Sequence, residues 1–309
     1  MTTFQNVALI GKGSLGSLIL TELLKANYTV TVLTRSDPAT SPPLPPNTTL
    51  KQVDYTSISS LTFALEGHDI AISTIAPSAI PLQKPIIDAA IAAGVKRFIP
   101  AEYAAMASDP SEKGQSLPFH APVIEIRKYL KKREGEIEHT IFAVGGFLEM
   151  IFSMPLVVDF PGRRVTFYDE GKHRFSVSRI STVAKAVVAS LGKADETRNR
   201  VVRVQDAVLT QRKVYDLVQK WTPGEEWTET HVNAEEQLNG ILETLQKGFD
   251  PELIPGLFVA AFLGGRFGAE YDVSNLDNGL LGVEGMSEEE VERFGYQLVS
   301  GSEGYSVSV

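Results

Sequence analysis

The sequence predicts an α/β fold: a doubly wound parallel sheet carrying a smaller, mostly helical C-terminal lobe. Three observations predict it. The apolar run Asn6–Ile10 leads straight into Gly11, Lys12, Gly13, Ser14, Leu15 and Gly16, and then into a helical pattern through Ala26. Short apolar, β-branched runs then alternate with helical stretches as far as Val144, the rhythm of strand–helix–strand units. A length of 309 residues, with 43% hydrophobic and 22% charged residues, is ample for a buried core.

The opening unit carries the most chemistry. G-x-G-x-x-G between a strand and a helix is the dinucleotide-binding fingerprint. Gly11 permits the tight turn, Gly13 lets backbone N–H groups approach a pyrophosphate, and Gly16 lets helix and strand pack closely. The helix N-terminus offers partial positive charge to the phosphates. The second strand, Thr29–Leu33, ends at Thr34, Arg35 and Ser36, where an acidic residue would meet a ribose 2′-hydroxyl. Arg35, 19 residues beyond Gly16, suits a 2′-phosphate instead, so the expected cofactor is NADP(H).

The prolines between 38 and 46 read as a surface loop. Strands are then expected at 49–53, 69–74, 96–100 and 140–144, with helices at 57–65, 81–93 and 122–133. Ligands of such sheets bind beyond the carboxyl ends of the strands. That gathers Gly11–Gly16, Thr34–Ser36, Thr74–Pro77 (Thr74, Ile75 and Ala76 included) and Pro100–Ala105 around one crevice. Further on, 164–168 and 174–177 flank Asp169–Lys172 as a hairpin. Helices follow at 178–191, 210–221, 234–247, 251–263 and 287–298, the last opened by a Ser287–Glu290 capping box, with a strand at 200–204. The expected division is a dinucleotide-binding domain at 1–153 and a substrate lobe at 154–309, interleaved because part of 174–205 extends the large sheet. Phe147, Met150, Phe258 and Phe262 are expected to line a bulky apolar pocket for the substrate.

Composition excludes several classes. A net charge of −9 argues against a nucleic-acid binder. With no cysteine there is no disulfide, thiolate nucleophile or Cys-ligated zinc. The five histidines are scattered without ligand spacing, so no metal is expected. The longest apolar run, Ile254–Gly265, is too short to span a bilayer, and no signal segment precedes the first strand, so the expected location is cytoplasmic.

Residues Ala92–Tyr103, A-A-G-V-K-R-F-I-P-A-E-Y, resemble the A-G-x-K-R-F-I-P-S-E-F segment of the NmrA-like, isoflavone-reductase-like branch of the atypical short-chain dehydrogenases. The glycine motif, Arg35, Asp54 after the third strand, Ile72 and Ser73, Gln83, and Gly145–Leu148 also fit. The resemblance is good over about the first 190 residues and looser beyond. It implies a Rossmann fold, NADPH, Asp54 at the cofactor, and reduction of aromatic secondary metabolites; other members only sense the dinucleotide. In the reductases a lysine on the helix after R-F-I-P is the acid–base residue. The family spacing places Val123 there, and Ile10 replaces the first glycine of the family's G-G-x-G-x-x-G.

Hydride transfer to a carbonyl or enone needs a proton donor, which valine cannot be. His120, three residues before Val123, and Tyr103, where the family has Phe, are the two candidates. Glu102 is expected to hydrogen-bond loop backbone, and Lys113 and Lys128 have no positional argument. Tyr168 and Lys172 have the Tyr-x-x-x-Lys spacing of short-chain dehydrogenases, but the Asp-Glu-Gly between them marks a turn. The leading expectation is an NADPH-dependent oxidoreductase acting on an aromatic or polyketide-like metabolite. The alternatives are a non-redox isomerase, cyclase or dehydratase on the same scaffold, and an NADP(H)-sensing regulator without turnover.

Overall fold

Strand β1 (Asn6–Ile10) is apolar along its length because helices cover both faces of the sheet it centres, and Val7 to Ile10 are wholly buried. The computed structural model describes residues 4–35, 45–104, 117–248, 250–266 and 269–301. Ser36, most of the proline-rich stretch, Ala105 and Lys113 lie outside them. Beside β1 run β2 (Thr29–Thr34), β3 (Thr48–Gln52), β4 (Ile70–Ser73), β5 (Arg97–Ile99), β6 (Tyr103–Ala104) and β7 (Glu138–Ala143). Among the described residues the large sheet has eight strands, ordered β11-β7-β5-β4-β1-β2-β3 with β6 paired to β7, where β11 is Arg200–Arg203. Every pairing in it is parallel. The chain works outward from β1 to β3, then returns to β4 on the other side. The crevice above β1 and β4 is therefore the switch point where ligands bind in such sheets.

Helices Ser14–Lys25 and Ile180–Leu191 pack one face of this sheet; Ile58–Leu65, Gln83–Ala92 and Ala121–Lys132 pack the other. A 3₁₀ turn, Pro118–His120, runs directly into the last of these.

The second core belongs to the lobe. It contains β8 (Gly146–Phe147), β9 (Arg164–Tyr168), β10 (Arg174–Ser178), β12 (Ala207–Thr210) and β13 (Thr228–Val232). Its helices are Gln211–Trp221, Ala234–Lys247, Ile254–Leu263 and Glu288–Val299, the last with its capping box formed by Ser287 and Glu290. The chain alternates between cores: β10 lies in the lobe, residues 180–203 return to the large sheet, and β12 is back in the lobe.

The expected hairpin across 169–172 does not form. β9 pairs in parallel with β13, while β10 pairs with β12 and β8. Two features divert it. Asp169, Glu170 and Gly171 take positive φ in succession (47°, 62°, 67°), so the chain swings away rather than doubling back. The buried carboxamide of Gln211 also bonds β9 itself: it accepts from Tyr168 N at 3.1 Å and donates to Thr166 O at 2.8 Å. Tyr168 and Lys172 accordingly share no helix.

Candidate active site

The glycine turn sorts its three glycines by physical role. Gly11 takes φ +95°, a left-handed backbone that side chains rarely adopt. At Gly16 a Cβ would sit 2.6 Å from Thr74 Oγ1 and 2.7 Å from Gly11 O, so glycine is what lets the helix approach the strand. A Cβ on Gly13 would meet nothing within 4 Å. The space in front of the helix is thus open. That helix has Gly13 at its N-cap, no side-chain cap and no acidic residue in its first turn. An N-terminus left uncapped at a turn where backbone can be closely approached fits a pyrophosphate. Ser14 and Leu15 form its first turn.

Thr74 closes the turn from β4, its N–H donating to Ile10 O at 2.8 Å and its hydroxyl to Gly11 O at 2.9 Å. Ile75 is half-buried against the core, and Ala76 is exposed ahead of the 3₁₀ turn Pro77–Leu82. Arg35 is exposed just past β2, its guanidinium 5.7 Å from the ring of Tyr55. Tyr55 donates to Leu33 O, and burial pushes its phenol up to about 12 although Arg35 draws it the other way. Asp54 turns back on its own loop, accepting from Thr56 N at 2.8 Å and Thr56 Oγ1 at 2.7 Å. Those bonds hold its carboxyl below the usual range.

The segment after β5 lies beside the carboxyl end of β4. Buried Gln83 accepts from Ala101 N at 2.7 Å. Tyr103 stacks near Phe142 and donates its hydroxyl to Ser73 O at 3.2 Å; burial raises its phenol pKa well above the usual value. Glu102, between them, departs from expectation. Neither carboxyl oxygen has a hydrogen bond, to backbone or otherwise, among the described residues. Its partner is Arg127, whose Nε lies 3.4 Å from Oε1. Burial pushes the Glu102 carboxyl up to about 8, with Arg127 pulling it partly back.

Arg127 sits one turn beyond Val123 and two beyond His120, so the three share a helix face. Val123 and His120 are both buried. The His120 ring meets Phe119 edge-on at 4.3 Å, Phe119 meets Phe258 at 5.6 Å, and Phe258 stacks on Phe262 at 5.7 Å. His120, Phe258 and Phe262 are thereby brought together. Phe147 is not part of that row: it packs on the core of the large sheet, and Met150 is half-buried nearby on helix Leu148–Ser153. Phe119 and the Glu102–Arg127 pair were missed in the sequence. Phe119 lies directly before His120, and Arg127 follows Val123 at helical spacing.

Residues 4–275 match the model of the NmrA-like family. The chain belongs to this family. It is 33% identical over 239 residues to oxidoreductase aprR of Aspergillus flavus, covering 76% of this chain and 80% of that protein. It is 26% identical over 241 residues to oxidoreductase poxI of Penicillium oxalicum, covering 76% and 75%. Among solved structures it is similar to the NADPH-dependent quinone oxidoreductase QOR2 of Escherichia coli, with TM-score 0.72, 19% identity and coverage of 94% and 99%. QOR2 has also been solved with NADPH bound. It is equally similar to an isoflavone reductase, with TM-score 0.72, 20% identity and coverage of 96% and 100%. At these identities the structures bear on the fold of this NmrA-like chain. Its described residues include no helix long and apolar enough to cross a membrane and no metal-binding cluster of His, Asp and Glu.

Proposed function

We propose that this NmrA-like protein is an NADP(H)-dependent reductase of a small aromatic substrate bearing a carbonyl, enone or quinone. The observation that carries the reading is the open, uncapped glycine turn at the head of helix Ser14–Lys25, with Arg35 beyond β2. The backbone N–H groups there would hold the pyrophosphate, and the guanidinium would hold the 2′-phosphate. Names of relatives as oxidoreductases, and of QOR2 as NADPH-dependent, support it.

When bound, the nicotinamide supplies the hydride. The protein's part is to orient an aromatic ring and hold a proton. In the row Phe119, Phe258 and Phe262, Phe262 is buried in the lobe core and backs the other two, and the partly exposed rings of Phe119 and Phe258 would meet a flat substrate. His120 stands at the end of that row and would contact the substrate. Tyr103, its hydroxyl committed to Ser73 O, would fix the segment after β5 rather than give a proton.

Loss of nicotinamide absorbance with a panel of aryl ketones, enones and quinones tests the reading. NADPH-dependent loss on at least one member, with NADH markedly poorer, is expected; tight NADPH binding without any turnover would overturn the reductase reading. Val123, buried where the family's reductases carry lysine, is the observation favouring a dinucleotide sensor or a non-redox enzyme in that event.

A further inference from the structure

We propose that Glu102, buried at the end of β5 and paired with Arg127, is the residue that gives the reaction its proton. The inference rests on the reductase reading above. Its physical basis is the placement of one carboxyl group. Glu102 is only 4% exposed, and both its oxygens lack a hydrogen bond among the described residues. A buried polar group ordinarily finds a partner, and groups left without one concentrate where a ligand or a reaction completes them. The flanking residues are already occupied: Ala101 N bonds Gln83, and the Tyr103 hydroxyl bonds Ser73 O at the end of β4. These contacts hold residue 102 beside the carboxyl end of β4, next to the switch point.

Among the described residues, Arg127, from helix Ala121–Lys132, is the charged side chain acting on it. Gln83 is neutral and burial keeps the Tyr103 phenol protonated. On the helix face that carries Arg127, Val123 adds no charge, and buried His120, two turns back, is the other titratable group. Burial outweighs the Arg127 attraction, so the carboxyl holds its proton at neutral pH. In the step, the electron pair of the arriving hydride forms the new C–H bond. The carbonyl π pair moves to oxygen, and the Glu102 O–H bond breaks to protonate that oxygen. The carboxylate left behind is balanced by the Arg127 guanidinium, and a solvent proton restores the acid.

The test uses the full-length protein, NADPH and acetophenone, an aryl ketone, as probes. Infrared titration of the cofactor-free protein should show a protonated carboxyl at neutral pH that disappears in Glu102→Gln. In Arg127→Met its ionisation should move to higher pH, because a neighbouring cation has been removed. In turnover, Glu102→Gln should lower kcat by about 10²–10⁴-fold with NADPH affinity unchanged. Wild-type kcat should fall as pH rises through about 8, and that limb should shift upward in Arg127→Met. Glutamine matches the shape of the protonated side chain, so the variant tests chemistry rather than folding. A carboxyl signal that is the same in wild type and Glu102→Gln, or full kcat in that variant, overturns the proposal alone. Failure of the wild type to bind NADPH, read by fluorescence titration, overturns the reductase reading and the proposal with it.

Discussion

Arg35 and the glycines of the first turn make separable contributions, and single substitutions distinguish them. Charge-assisted hydrogen bonds are each worth about 1.5–3 kcal/mol net, so Arg35→Ala should weaken NADPH by about 10–100-fold and leave NADH nearly unchanged. Equal loss for both cofactors would mean that Arg35 does not meet the 2′-phosphate. Gly13→Val should leave the melting temperature nearly unchanged but abolish binding, since its side chain would project into open space. Gly16→Ala should lower the melting temperature and weaken NADPH together. Its Cβ meets Gly11 O and Thr74 Oγ1, and relieving such overpacking costs about 1–3 kcal/mol. Thermal melts alongside fluorescence titration with NADPH check both. His120→Ala should raise KM more than it lowers kcat if the ring acts through substrate contact, and a kcat-only effect would return the proton to His120. The glycine turn and Arg35 were legible in the sequence because their roles depend on backbone and spacing. Glu102 was misjudged because its surroundings come from Arg127, 25 residues away, and a carboxyl group does not announce whether its loop will bond it.

At the scale of elements, the parallel strands were readable because strands buried on both faces carry unbroken apolar runs, as Val7–Ile10 of β1, Ile70–Ile72 of β4 and Ile141–Ala143 of β7 do. β13 was missed for the opposite reason: Thr228–Val232 is polar, mostly exposed, and held by pairing with β9. Helix Ile180–Leu191 illustrates a cap that no local pattern reveals. It lacks a side-chain cap of its own in the usual place, and buried Glu149 accepts from Ile180 N through both oxygens at 3.0 and 3.1 Å. Burial lifts the Glu149 carboxyl to about 7, the hydrogen bonds to backbone restraining it. The unfolded chain releases this proton near pH 4–5. Stability from this group is therefore fully present at lower pH and is lost as pH rises through about 7. Relative to Glu149→Gln, the wild type should lose on the order of 1–3 kcal/mol between mildly acidic and mildly alkaline pH, read from denaturant midpoints. A pH-independent difference would show that Glu149 ionises alike in both states.

For the whole molecule, alternation of the chain between two cores should make unfolding cooperative. Both tryptophans, Trp221 and Trp227, belong to the lobe, whereas the proposed coenzyme contacts belong to the large sheet. NADPH at about 100 times its Kd adds about 2.7 kcal/mol to stability. The tryptophan emission melt should shift upward with it, in step with far-ultraviolet circular dichroism. A tryptophan transition indifferent to NADPH would show that the lobe melts independently. The Gln211 carboxamide that bonds β9 has a consequence for how the lobe holds together. Gln211 is only 1% exposed, so the backbone groups it meets lie away from water, where each needs a partner within the protein. By holding the Thr166 carbonyl and the Tyr168 N–H, one side chain does for β9 what a neighbouring strand would do. Gln211→Leu keeps the bulk but strands these groups and the Val157 carbonyl that the same carboxamide bonds, so the denaturant midpoint of the variant should fall by the equivalent of about 1–3 kcal/mol or more. Gln211 is in that sense a splint for β9, placed on a helix rather than on the strand it steadies.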